Sequence, residues 1–84
     1  MAKTVYSRES EALAKILAKA RKDAGLHQAD LAARLGRDQA IVSNIERGQR
    51  RVDVIEFYTI AKAIRRDPIG LYREVVTEWE KGES

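Results

Sequence analysis

Apolar residues recur along this chain at intervals of three and four, the spacing that gathers them on one side of an α-helix. Leu13, Ile16, Leu17, Ala20 and Ala24 form one such stripe, with Glu9, Glu11, Lys15, Lys19 and Lys22 covering the other side. They predict a first helix over about 7–24, which Gly25 ends. Leu31, Ala32 and Leu35 predict a second over about 28–35, and Gly36 follows where a left-handed C-terminal residue is wanted. Asp38 then stands one residue before a fresh helical run, where its carboxylate can accept orphan backbone N–H groups. In that third helix, about 39–47, Val42 and Ile45 face one way while Gln39, Ala40, Ser43 and Asn44 face outward. Gly48 closes it. Asp53 and Glu56 have the spacing of a capping box. They open a fourth helix over about 54–65, with Val54, Phe57, Ile60, Ala61 and Ile64 as its core face and Tyr58 off it. Asp67-Pro68 is a cap followed by proline at the first helical position. The fifth helix, about 68–81, carries Ile69, Leu71, Tyr72, Val75, Val76 and Trp79. The pattern predicts an all-α, compact five-helix domain, preceded by a mobile arm over 1–6 and followed by a disordered tail over 82–84.

Composition narrows the chemistry. A chain of 84 residues has room for one modest core. It has no cysteine and one histidine, so neither a disulfide framework, a Cys-based zinc site nor a multi-His site is available, and no cofactor is expected. Its apolar runs are only a few residues long and no signal-peptide core is visible, so the expectation is a soluble cytoplasmic protein that does not engage a membrane. No P-loop, supported nucleophile–base pair or carboxylate cluster at metal spacing occurs, so no enzymatic activity is expected. Charge is unevenly placed. Residues 1–66 hold 14 Lys/Arg against 8 Asp/Glu, whereas residues 67–84 hold 2 against 5. A basic body with an acidic end fits a polyanion-binding module whose last helix does something else.

The second and third helices joined by a tight turn make a helix-turn-helix. A small polar face held rigidly by a neighbouring short helix suits insertion into the major groove of double-stranded DNA. Gln39 leads that face, because a primary amide can bond bidentately to adenine N6 and N7. Ala40 offers a methyl for a thymine methyl, and Ser43 and Asn44 face the same groove one turn on. Ile41 is expected to be partly buried. His27, at or near the cap of the second helix, either donates to a phosphate or caps the helix and faces water. Arg37 either packs its stem and sends its guanidinium to a flanking phosphate, or is simply solvated.

Two motifs, Gln28-Ala-x-Leu31-Ala32-x-x-Leu35-Gly36 and Gln39-x-x-Val42-Ser43-x-Ile45-Glu46-x-Gly48, occur together at a fixed separation. Through them the chain, from about Leu17 to Tyr72, resembles the Cro/phage-repressor helix-turn-helix family, often called XRE-type regulators. The resemblance implies a lambda-repressor-like fold. It also implies an Arg21–Glu46 salt bridge tying the first helix to the end of the third, and a phosphate contact for Gln28 alongside support of the third helix. Arg50 and Arg51 become phosphate candidates in the loop that follows, with Arg47 a weaker one. Relatives often have Pro where Val52 stands, Gly where Arg65 stands, and a small apolar residue or Thr at position 37.

The apolar stripe of the fifth helix is wider than one domain needs. Ile69 and Tyr72 are expected to reach the core. Tyr72, Val75, Val76 and Trp79 are candidates for a two-fold contact with a second copy, the alternative being that the helix folds back to complete a monomer's core. Together these readings describe a sequence-specific DNA-binding transcriptional regulator, a repressor by resemblance, binding a pseudo-palindromic operator as a homodimer. The alternative is an antitoxin or restriction-modification controller of the same fold, which also binds a protein partner such as a toxin.

Overall fold

Five helices, each closed by the residues its sequence supplies, build the fold. The computed structural model describes residues 7–81, so the expected arm and tail lie outside the described residues. The helices are α1 (Arg8–Asp23), α2 (Gln28–Leu35), α3 (Gln39–Glu46), α4 (Val54–Ala63) and α5 (Pro68–Lys81), and the described residues contain no strand. Ser7 caps α1, its hydroxyl accepting the Ser10 N–H at 3.1 Å. Asp53 and Glu56 form the capping box of α4, with the Glu56 N–H donating to Asp53 Oδ1 at 2.7 Å. Asp67 accepts the Gly70 N–H at 3.0 Å ahead of Pro68. Asp38 departs from expectation. It occupies the cap position of α3, but its carboxylate makes no capping bond.

Helix ends show where backbone conformation matters. Gly36 is left-handed at φ 67, which lets the Arg37 N–H turn back to the Ala32 carbonyl at 3.0 Å and sets α3 across α2. At the end of α4 the same device falls on Arg65, the described non-glycine residue with positive φ (63), and the Arg66 N–H reaches the Ala61 carbonyl at 2.9 Å. A side chain in this region crowds its own backbone at a cost of about 1–2 kcal/mol. Arg65→Gly relieves it, less the extra entropy glycine has when unfolded. The expected result is a stabilisation of roughly 1 kcal/mol, seen by calorimetry as a melting temperature higher by about 4–8 °C. An unchanged or lower melting point would mean that Arg65 is held there by favourable contacts.

The core gathers Leu17 and Ala20 of α1, Leu31 and Ala32 of α2, Val42 and Ile45 of α3, Phe57, Ile60 and Ala61 of α4, Ile64 just after it, and Leu71 and Val75 of α5. Ile41 is partly buried against it. Four sequence expectations change. Ala24 is exposed beyond the end of α1. Val54, in the first residue of α4, lies past the edge of the core and is 80% exposed. On α5 the inward face runs through Leu71 and Val75, one turn apart, so Ile69 is carried about 200° round the helix and is 66% exposed. Val75 is fully buried inside the subunit and cannot meet a second copy.

Candidate nucleic-acid interface

The exposed side of α3 rests on a buried ion pair. Arg21 Nε donates to Glu46 Oε2 at 2.7 Å and its Nη2 to Glu46 Oε1 at 2.9 Å, while Nη1 donates to the Leu26 carbonyl at 2.7 Å. Both side chains are 8% exposed, so two full charges are shielded from water only because each is paired. The hydrogen bonds that Arg21 donates to Glu46 raise the Arg21 pKa against the opposing effect of burial. One residue of α1 thereby fixes the last turn of α3 and the start of α2.

This pair sets the direction of a chain of amides. A carboxylate can only accept, so the Gln28 group that meets Glu46 must be the donor, and Gln28 Nε2 lies 2.9 Å from Glu46 Oε1. Gln28 Oε1 then faces outward and accepts from Gln39 Nε2 at 3.3 Å. Gln39 consequently presents its carbonyl oxygen and its remaining N–H from the exposed start of α3, the donor-and-acceptor pair that an adenine edge requires. Gln28 is committed to Glu46 and Gln39, so its role in the free protein is support of α3.

The other candidates divide. Ala40 is exposed beside Gln39, while Ser43 and Asn44 are half-buried one turn on. Arg47 Nη2 donates to Asn44 Oδ1 at 2.6 Å, which occupies the Asn44 carbonyl and leaves its N–H groups for an acceptor. His27 is exposed at the cap position of α2, and its backbone N–H donates to Asp30 Oδ2 at 2.8 Å. Arg51 is exposed in the loop after α3. Arg50 departs from the expectation of a guanidinium held ready for phosphate. Its Nη1 and Nη2 donate to Glu56 Oε1 and Oε2 at 3.1 and 2.7 Å. Arg37 Nη1 stands 4.0 Å from the same carboxylate. Spacing alone assigns Glu56 a capping role only, because a pair six residues apart across a loop has no periodic signature.

The second surface also differs from expectation. Trp79 is half-buried, its Nε1 donating to the Glu9 carbonyl at 2.9 Å, and Arg8 Nη1 donates to the Trp79 carbonyl at 3.3 Å. Trp79 thus joins α5 to α1 within the subunit, for the physical reason that its indole N–H finds a partner there. Tyr72 stacks edge-on between Phe57 and Trp79, with ring centroids 6.0 and 6.2 Å away, and remains 48% exposed. Val76 is half-buried. The large exposed apolar side chains among the described residues are Val54, Ile55 and Tyr58 on α4 and Ile69 and Tyr72 on α5. Among the described residues no helix is long and apolar enough to cross a membrane.

Residues 17–71 match the helix-turn-helix family model. The chain is 41% identical to an XRE-family like protein from Pseudomonas syringae pv. tomato str. DC3000, over 89% of this chain and 92% of that one, with a TM-score of 0.79. The restriction-modification controller protein C.AhdI from Aeromonas hydrophila is 31% identical over 77% of this chain and 98% of its own, at a TM-score of 0.71. The controller protein C.Esp1396I, as a tetramer in complex with its natural 35 base-pair operator, is similar in fold. It shares 24% identity over 86% of this chain and 95% of its own, at a TM-score of 0.78. No curated protein matches the chain.

Proposed function

Because the chain belongs to the XRE-type helix-turn-helix family, we propose that it is a DNA-binding transcriptional regulator that reads an operator by placing α3 in the major groove. The observation that carries this is the chain from Arg21 through Glu46 and Gln28 to Gln39, which biases the orientation of a base-reading amide before any DNA is bound. Preorganised contacts of this kind turn hydrogen-bonding capacity into sequence discrimination, because little freedom remains to be given up on binding. Ala40, Ser43 and Asn44 complete the reading face, with Arg37, Arg47 and Arg51 toward the flanking phosphates. The protein acts by occupancy rather than by turnover, and a bound copy over a promoter represses.

One α3 reads too few base pairs for a specific site, so a homodimer on a pseudo-palindrome is part of the proposal, with half-sites about 34 Å apart. The face for it is corrected from the sequence reading. Val75 and Trp79 are spent inside the subunit. Val54 and Tyr58, one turn apart on α4, and Ile69, Tyr72 and Val76 on α5 form the apolar surface that a second copy would cover. Tyr58→Asp and Ile69→Asp should each move the sedimentation coefficient at micromolar protein from dimer to monomer while leaving the melting temperature of the subunit nearly unchanged. A dimer that survives both substitutions would remove this face from the interface.

Selection of bound sequences from a random duplex pool tests the whole reading. An inverted repeat is expected, and recovery of no motif would overturn sequence-specific binding. The likeness to C.AhdI favours a restriction-modification controller as the more specific version of the proposal. An antitoxin role would instead require a small protein partner to co-purify.

A further inference from the structure

Glu56 serves the α4 cap, and its carboxylate has a second use. It stands beside α3, between the turn that precedes that helix and the loop that follows. Arg50 approaches from the loop with two hydrogen bonds of 2.7 and 3.1 Å, and Arg37 approaches from the turn at 4.0 Å. Beside these groups lies a cleft of about 200 Å³ lined by Leu35, Arg37, Ile41, Ile55 and Glu56, among others. The bond that the Asp53 N–H gives Glu56 is long, 3.4 Å, so the best-formed contacts of this carboxylate are those with Arg50. The Glu56 side chain is 23% exposed and that of Arg50 32%, which places the pair at the edge of water, where a competing anion can reach it.

A polyanion approaching α3 therefore meets two guanidinium groups that already share a negative charge. Resting on the DNA-binding reading above, we infer that Glu56 competes with backbone phosphates for Arg50, and through proximity for Arg37, and so acts as an electrostatic brake on sequence-independent DNA binding. The affinity of a protein for arbitrary duplex comes almost wholly from counterion release, with a log–log salt slope of about −0.9 per neutralised phosphate. A phosphate that takes Arg50 must displace a bidentate carboxylate and then lie beside it, which cancels most of that contribution. Base reading by Gln39 and Asn44 involves neither group. The brake lowers affinity for every sequence alike, and a regulator that must leave a vast excess of non-operator DNA gains from it.

The test is binding of labelled operator and non-operator duplexes by the full chain over a salt series. In Glu56→Gln the side-chain oxygen still accepts the Asp53 N–H, since glutamine fills this place in a capping box as well as glutamate does. Binding at about 0.15 M salt is expected to tighten roughly fivefold on both duplexes, with a salt slope steeper by about 0.9. In an Arg50→Ala background the same substitution should lose most of that gain, because no guanidinium is left to release. Glu56→Ala, which has no acceptor at all, repeats the comparison if E56Q melts early. Equal or weaker binding by both variants overturns the brake, and so does a gain that persists without Arg50. If the natural chain binds no duplex at any salt concentration, the DNA-binding reading itself fails and the brake with it. Binding by the natural chain without the gain removes the brake alone.

Discussion

Arg21→Ala is expected to destabilise the fold by about 3–5 kcal/mol, the cost of leaving one member of a buried ion pair without its partner. The substitution strips Glu46 of two charge-assisted bonds and the Leu26 carbonyl of one, at a site where both side chains are 8% exposed. Single domains have only about 5–15 kcal/mol of total stability, so the loss consumes a large share of it. Urea denaturation followed by circular dichroism should show a midpoint greatly lowered with an unchanged slope. Arg21→Met combined with Glu46→Leu should recover much of the deficit, because well-packed apolar groups often replace a buried pair at little cost. A loss below about 1 kcal/mol for the single substitution would place the pair among solvated surface bridges.

Gln39→Ala is expected to weaken operator binding by roughly 1–3 kcal/mol for each bidentate base pairing it abolishes, about 5- to 150-fold in dissociation constant. The effect should be confined to one base pair in each half-site. The variant should bind the operator and its base-substituted form alike, whereas the natural chain distinguishes them. Fluorescence anisotropy with paired duplexes reads this directly. Gln28→Ala should give a weaker version at the same base pair, since it frees the Gln39 amide to turn without removing it. A uniform loss on all sequences would assign Gln39 to the backbone instead. Neither substitution touches the buried carboxylate's two bonds from Arg21, so both variants should remain folded.

The helix-turn-helix is legible in the sequence because its signals are local. Gly36 marks a left-handed turn, and apolar residues at helical spacing set the register of each flanking helix. The Arg21–Glu46 pair is not legible in periodicity, since no spacing rule links two residues 25 apart, and it follows from resemblance alone. The phase of α5 escapes the sequence for a different reason. Ile69, Leu71, Tyr72, Val75, Val76 and Trp79 together span about 160°, nearly half the helix circumference, and hydrophobicity does not tell which edge of so wide a stripe turns inward. Leu71 and Val75 decide it, and Ile69 turns outward with them. Arg50 reads as available because a sequence records charge, whereas availability depends on what stands opposite. Here that is Glu56, brought near by the path of a loop.

The seam between α1 and α5 also makes the protein its own optical probe. Trp79 is the only tryptophan in the chain, and it is fixed to Glu9 and Tyr72 rather than to the helices that would face DNA. Its emission therefore follows the docking of the last helix onto the first. A shift of that emission on heating that precedes loss of helical signal would reveal α5 parting from a still-folded body.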